Sequence, residues 1–414
     1  MQSGLINIGN SCYSNVVIQC LSYIFGDYFI EKKYKNRSGL MLLNHSNQLD
    51  IINENFFNEN IEKYLKVKYN IDTTDKSFNT KQIFIDIVCE NINNLINDII
   101  SGKDTKNNLI NFYEHLLFFN KTRPFLNREQ HDSHEFLISL IDLLHKLLSY
   151  YVGISIDYKS QPITDTNELQ KYDITDYDLS EYNSLLNWKK EWKLKYDFNT
   201  ETIPQPDKYA MSIVSNNICG QYKTTIQCRN LQCEYICEKY DIFYTICLDI
   251  HGATLNDCFT NFIKIEELDQ DNLWLCPKCN TKTQCFRKTV IDRCPKYLII
   301  QLKRFTYINT PAGLLLTKNN TNIELPMIDF NIEPFTKQKI TISTQPLTYD
   351  LEFIILHHGN LNNGHYNCLK KDVNQPDVNQ KDNNKWYFMD DETVNDNYNM
   401  SQLQNAYILV YKQK

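Results

Sequence analysis

The chain has 414 residues, with 43 Lys and Arg against 50 Asp and Glu and a formal net charge of -7. That length can bury a sizeable core, as one elaborated domain or two to three ordinary ones, and mixed charge without a long basic run argues against a nucleic-acid partner while tolerating a basic one. No charged and apolar leader with a small-residue cleavage site opens the sequence, and no apolar run is long enough to cross a bilayer, so a soluble protein without membrane contact is expected. Fourteen cysteines then point to a reducing compartment, cytoplasmic or nuclear, where thiols serve as core residues, metal ligands or nucleophiles rather than as disulfides.

The first element follows Gly4-Leu5-Ile6-Asn7-Ile8-Gly9-Asn10-Ser11-Cys12-Tyr13, a turn rich in glycine and asparagine. Tyr13, Val16, Val17, Cys20, Leu21 and Ile24 recur at helical spacing, with Asn10 or Ser11 as N-cap, which places Cys12 in the first turn of a helix. Unpaired N–H groups and the positive end of the dipole favour a thiolate there, so Cys12 is the candidate nucleophile. The plain alternative is a small buried apolar residue, unless a histidine and a carboxylate are brought to it from elsewhere in the chain.

From about residue 40 to 150 the periodicity stays helical. Ile83, Ile87, Ile92, Leu95, Ile96 and Ile99 form one stripe, and Leu109, Phe112, Leu116 and Phe119 another. Asp132-Ser133-His134-Glu135 resembles a capping box ahead of a stripe of Phe136, Leu137, Leu140, Ile141, Leu144 and Leu148. Residues 155 to about 207 are polar, apart from Leu185, Trp188 and Trp192, and read as a connection or insertion. Beyond Met211 the runs are short and rich in β-branched and aromatic residues: Thr224–Gln227, Ile242–Ile250, Tyr297–Leu302, Leu351–Leu356 and Ala406–Tyr411 are expected strands. Lys370–Lys385 reads as an exposed hairpin loop. Helices first and strands afterwards make the fold class α+β.

Two cysteine pairs fall among these strands, Cys228 with Cys233 and Cys276 with Cys279. Four soft ligands in two tight knuckles suit a tetrahedral zinc ion and would pin strands that have little core of their own. Cys237 or Cys285 could replace a ligand, and a redox role for the Cys276/Cys279 pair is the other reading, although no βαβ pattern surrounds it. Near the end of the chain, Leu356-His357-His358-Gly359 closes a strand and Asn363-Gly364-His365-Tyr366 opens the next, making His365 the candidate general base. One strand later, Trp386 to Asp391 brings a carboxylate within reach of that imidazole. The chain order Cys, His, Asp is that of papain-like peptidases.

Taken together, these pieces resemble the catalytic domain of the ubiquitin-specific proteases over nearly the whole chain. Gly4–Tyr13 is similar to that family's cysteine box, Gln130–Leu144 to its Gln-Asp box, Ser212–Gln221 to the approach to its fingers, and Tyr297–Phe305 to its Leu-Lys-Arg-Phe strand. Gly364–Tyr366 and Trp386–Asp391 are similar to its histidine box. The resemblance implies a papain-like fold with a helical thumb over 1–155, a connection over 156–210, zinc fingers over 211–290 and a β-sheet palm over 291–414. It implies Cys12 as nucleophile, His365 as base, Asp390 as its orienting partner and Asn7 as an oxyanion-hole donor, against the plain reading of Asn7 as a turn residue. It further implies Gly364, Tyr366 and Asp391 as substrate-binding residues and structural Zn(2+) on Cys228, Cys233, Cys276 and Cys279. Ubiquitin and ubiquitinated proteins would be the partners, with room for an activating protein. A ubiquitin-binding scaffold without catalysis and a protease of a ubiquitin-like modifier are the rival functions. The sequence departs from the family pattern with Ser11 for threonine, His131 for glutamine, His358 for serine, and four residues rather than two between Cys228 and Cys233.

Overall fold

The computed structural model describes residues 3–30, 52–71, 73, 80–148, 212–269, 272–310, 313–337, 346–360, 364–372, 385–396 and 400–414. The connection expected over 156–210, and residues 373–384 of the expected hairpin loop, lie outside them. Among the described residues, five α-helices come first: α1 Cys12–Ile30, α2 Glu54–Tyr69, α3 Thr80–Ser101, α4 Lys106–Leu116 and α5 Ser133–Leu148. The stripes read from the sequence are the faces these helices bury. In α3, Ile92, Leu95, Ile96 and Ile99 are in the core while Ile83 and Ile87 are half-buried at its rim. Phe119 is buried just beyond the end of α4, where it bridges to Ile52.

Helix α5 buries all six of its stripe residues. Its N-cap is Asp132, whose Oδ1 accepts the N–H groups of His134 at 2.7 Å and Glu135 at 3.1 Å, two of the donors that a helix start leaves unpaired. The other carboxylate oxygen accepts the Tyr407 hydroxyl at 2.6 Å, and that hydroxyl accepts Gln301 Nε2 at 2.7 Å. One capping residue therefore also ties the helix to the sheet beneath it.

Further along, the described residues hold two short α-helices, α6 Ile213–Ile218 ahead of the strands and α7 Leu255–Phe262 among them, and sixteen strands. Strands β1 Gly220–Cys228, β2 Ile236–Phe243, β4 Glu266–Leu268 and β7 Cys285–Arg293 form an antiparallel sheet in the order β2-β1-β7-β4. Between β4 and β7, β5 Trp274–Cys276 and β6 Thr281–Thr283 make a separate hairpin. The larger, eight-stranded sheet takes in β3 Ile246–Asp249 and β8 Tyr297–Lys303, skips the hairpin of β9 Phe305–Thr310 and β10 Gly313–Lys318, and continues with β11 Phe330–Asn331 and β12 Thr348–Gly359. It is completed by β13 Gly364–Lys371, β14 Trp386–Asp390, β15 Thr393–Asn395 and β16 Ala406–Gln413. Its order is β15-β14-β13-β12-β16-β8-β3 with β11 beside β12, antiparallel except where β3 runs parallel to β8.

The apolar runs expected as central strands are central because the large sheet is covered on both faces. Tyr297 and Ile299 of β8 join a core with the helices, while Leu298, Ile300 and Leu302 join a second core with Leu255 and Phe259 of α7. Phe353 and Ile355 of β12 likewise face the first core, and Ile354 and Leu356 the second. Strands buried on two faces lose the polar alternation of a half-exposed strand, as their sequences show. The run Ile242–Ile250 is not one strand. It is divided at Tyr244 and Thr245, where the chain leaves the smaller sheet at the buried Phe243 and enters the larger one at Ile246.

Tyr407→Phe should lower unfolding free energy by about 1–3 kcal/mol, since it removes a hydrogen bond to a charged capping group. A urea midpoint equal to that of wild type, with the same slope, would show that the hydroxyl does not link α5 to the sheet.

Candidate active site

The turn ahead of α1 is built around one side chain. Asn7 Oδ1 accepts the N–H groups of Gly9 at 3.0 Å and Ser11 at 3.1 Å and the Ser11 hydroxyl at 3.2 Å, while the Ile8 N–H donates to Ser11 Oγ at 2.9 Å. Gly9 has φ 92° and Asn10 φ 50°, left-handed angles that glycine and asparagine adopt most readily. Ser11 stands at the N-cap position, yet its hydroxyl turns back into the loop. Its carbonyl alone enters the helix, accepting from Ser14 at 3.1 Å and Asn15 at 2.9 Å. Cys12 begins the helix and is 4 % exposed.

A second side chain fastens this turn to the large sheet. Asp391, just past β14 with φ 48°, accepts Asn7 Nδ2 on Oδ2 at 2.8 Å and Asn15 Nδ2 on Oδ1 at 2.7 Å. Its backbone oxygen accepts the Leu5 N–H at 2.8 Å. Gly4 lies so close that a Cβ there would sit 2.5 Å from the Asp391 oxygen and press on that of Glu392 as well. The chain can make this approach only without a side chain at residue 4.

His365, at the start of β13, and Asp390, at the end of β14, complete the arrangement, with His365 Nε2 2.5 Å from Asp390 Oδ1. With Nε2 committed, Nδ1 is the nitrogen left to face Cys12. The His365 pKa is raised to about 9, first by its hydrogen bond with Cys12 and then by the Asp390 hydrogen bond and charge, against the lowering effect of burial. Its neighbours go the other way. Burial pushes His357 down to about 3 and also lowers His358, so of the three histidines on this hairpin only His365 favours the cation. Burial pushes the core thiols of Cys89 and Cys219 up to about 12.

A cysteine at a helix start facing an acid-held imidazole is the constellation of a thiol peptidase. The ubiquitin carboxyl-terminal hydrolase family profile matches residues 3–411. The chain belongs to this family of ubiquitin-specific thiol proteases. A probable ubiquitin carboxyl-terminal hydrolase of Acanthamoeba polyphaga mimivirus is 26% identical over 446 residues, covering 99% of this chain and 89% of the relative. Ubiquitin carboxyl-terminal hydrolase 4 of the yeast Vanderwaltozyma polyspora is 24% identical over 428 residues, but there the chain spans only 40% of the relative's length. Among solved structures, the SAGA Ubp8/Sgf11/Sus1/Sgf73 DUB module bound to ubiquitin aldehyde superposes with a TM-score of 0.61 at 18% identity, covering 100% of this chain and 69% of that one. The fold is therefore the α+β papain-like fold of the ubiquitin-specific proteases.

Against that frame, Gly364 opens β13 beside the site. Tyr366 is 5 % exposed and packs its ring 4.6 Å from that of His357 and 6.1 Å from that of Tyr407. The Asp391 carboxylate lies between the two asparagines. A cavity of about 810 Å³ runs between the stretch that leads into α5 and the sheet, lined by Gln130, Asp132, Lys303, Phe305, Leu316 and Tyr407 among others. Of the residues that depart from the family pattern, His131 packs edge-on against Tyr13 and Phe125, and His358 bonds Asn367 at 3.3 Å and Asn405 at 3.2 Å. Among the described residues, neither side chain hydrogen-bonds Cys12, His365 or Asp390, although His358 lies opposite His365 in the β12–β13 ladder.

Away from this site, the sulfurs of Cys228, Cys233, Cys276 and Cys279 lie within 4.8 Å of one another. Cys233 and Cys276 are 3.6 Å apart and Cys228 and Cys279 3.8 Å, close to the ~3.8 Å that sulfurs ~2.3 Å from a tetrahedral zinc would keep. This donor set fits a metal ion. Cys276 ends β5 and Cys279 lies in the turn of the β5–β6 hairpin, and neither Cys237 nor Cys285 belongs to the cluster.

Asn15 was not singled out by sequence reasoning, although its place one turn after Cys12 puts it on the same face of α1. Gln130 was read only as part of a box. The structure brings its carboxamide onto Gly364, with Nε2 3.1 Å from the Gly364 oxygen and Oε1 3.2 Å from its nitrogen.

The raised pKa of His365 has a definite pH signature. The imidazolium's contribution to stability is complete below the ordinary value of 6.5 and is lost as pH rises through about 9. By NMR the His365 ring should titrate at about 9, and Cys12→Ala and Asp390→Asn should each bring the midpoint down. A ring titrating near 6.5 in the wild-type protein would show that the three groups do not act together.

Proposed function

We propose that this chain is a deubiquitinating cysteine protease that hydrolyses the peptide or isopeptide bond after the C-terminal glycine of ubiquitin. The observation that carries the reading is the meeting of Cys12, His365 and Asp390 from opposite ends of a chain that the family profile spans. Cys12 attacks the scissile carbonyl as a thiolate, and the C–N bond breaks as His365 gives its proton to the leaving amine. The thioester that remains is hydrolysed when His365 takes a proton from water and the Cys12 sulfur leaves. Asp390 keeps the ring oriented and favours its cation throughout. Asn7, which has one amide N–H on Asp391 and a second on the same nitrogen, is the side-chain donor to the oxyanion beside the backbone N–H groups at the start of α1.

The substrate's tail would lie in the cavity between Gln130 and Phe305, with Gly364 and Tyr366 shaping its catalytic end and Asp391 acting through Asn7. On this reading residues 1–155 are the thumb, 156–210 a connection, 211–290 the fingers and 291–414 the palm. Cys228, Cys233, Cys276 and Cys279 would hold a zinc ion whose chemistry is purely structural, joining the β1–β2 turn to the β5–β6 hairpin.

The test is reaction with ubiquitin carrying a C-terminal electrophile, run beside the same probe built on other ubiquitin-like modifiers. The wild-type chain should be labelled by the ubiquitin probe and Cys12→Ala should not, while its affinity for ubiquitin stays within a few-fold. Labelling of Cys12→Ala at the wild-type rate would move the nucleophile elsewhere, and labelling only by another modifier would change the substrate. For the metal, the purified protein should carry about one zinc per molecule, and replacing Cys276 and Cys279 together should release it and speed proteolysis of residues 220–293. Metal analysis without zinc, on protein prepared without chelator, would refute the site.

A further inference from the structure

Gly364 and Gln130 make a pair of hydrogen bonds that resembles backbone pairing. Both polar backbone groups of Gly364 are engaged, its N–H donating to Gln130 Oε1 and its carbonyl accepting from Gln130 Nε2. A primary carboxamide offers one acceptor and one donor side by side, as an extended peptide residue does to its opposite number in an antiparallel ladder. Among the described residues, no strand covers this part of the β13 edge. Its pairing with β14 begins only at Cys368, four residues further on, whereas Gly364 is already paired to Gly359 of β12 on the other side.

Position gives this pairing a consequence. Gln130 lines the 810 Å³ cavity, and its carboxamide reaches across to the residue before His365, so the two bonds tie the cavity's lining to the strand that carries His365. They are also easily exchanged. Gln130 is exposed, and 3.1 and 3.2 Å are long for N–H to oxygen bonds, whose usual length is about 2.9–3.0 Å.

We infer that Gln130 is a latch that stands in for substrate backbone: in the free protein its carboxamide takes the two Gly364 hydrogen bonds that the extended glycine tail of the substrate takes on binding. This rests on the reading of the chain as a deubiquitinating protease. The tail adds to the β13 edge by strand pairing, and Gln130 swings away as it does so. Binding is then weakened by the fraction of molecules in which the latch is closed, and freeing Gly364 in advance should tighten it.

The experiment compares the affinity of ubiquitin for Cys12→Ala with its affinity for the same protein also carrying Gln130→Ala or Gln130→Glu. Both second variants should bind ubiquitin about three- to tenfold more tightly, the scale of two exposed neutral hydrogen bonds. Glutamate is included because it keeps the bulk and the acceptor but turns a carboxylate toward the Gly364 carbonyl. Ubiquitin lacking its last two glycines should show no gain. Unchanged or weaker binding in the double variants, or an equal gain with the truncated ubiquitin, overturns the latch, and so does a gain in Gln130→Ala that Gln130→Glu does not share. Turnover of ubiquitin bearing a C-terminal fluorophore by the wild-type chain tests the parent reading separately. Turnover without the affinity gain refutes the latch alone, and the gain without turnover refutes the catalytic reading alone.

Discussion

The active site depends on a single carboxylate that does none of the proposed chemistry. Asp391 receives one amide from the turn before Cys12 and another from the helix after it, and its backbone receives the Leu5 N–H. Because Asp390 is the preceding residue, the group that holds the turn before Cys12 and the group that holds the His365 ring share one stretch of backbone. A displacement of the β14 end would move both together and leave their separation nearly unchanged. That is a stiffer arrangement than two independently placed loops, and sites of this kind tolerate little looseness.

The large sheet makes such placement possible. It is buried on both faces, so its central strands cannot slip by one residue without moving an entire row of side chains from one core to the other. His365 and Asp390 lie on neighbouring strands of this sheet, and α5 is fixed to it through Asp132, Tyr407 and Gln301. Rigid elements thus surround the cavity, and the segment that leads into α5 presents Gln130 to the one short stretch of β13 that β14 leaves uncovered.

Much of this could be read from the chain. Helical stripes with capping residues announced α1 and α5, and continuous apolar runs announced β8, β12 and β16, because periodicity reports burial directly. The division of Ile242–Ile250 between two sheets could not be read, since both halves are equally apolar and only the bend at Tyr244 separates them. The same limit applies to side-chain hydrogen bonds. Cys12, His365 and Asp390 stand out by residue type and order, whereas Asn7, Asn15 and Gln130 are amides in a sequence full of amides. Their importance comes from meeting Asp391 and Gly364, contacts that no local pattern encodes. The four-cysteine cluster is an intermediate case: the spacing of the cysteines suggested the set, and only the fold shows that Cys285, opposite Cys228 in the ladder, stays outside it.

The clasp between Asn7 and Asp391 joins residues 384 positions apart. During synthesis, therefore, the turn that presents Cys12 emerges well before Asp391 and has nothing to close upon until Asp391 has left the ribosome, at ~5–20 residues per second some tens of seconds later. Closing so large a loop is slow and falls late in folding, after the helices have formed their local contacts. The Cys12 thiol thus spends that interval without the His365 imidazole. Assembly of Cys12, His365 and Asp390 is timed by the arrival of β13 and β14, and a polypeptide stalled or cut short of β14 would carry the cysteine without its partners.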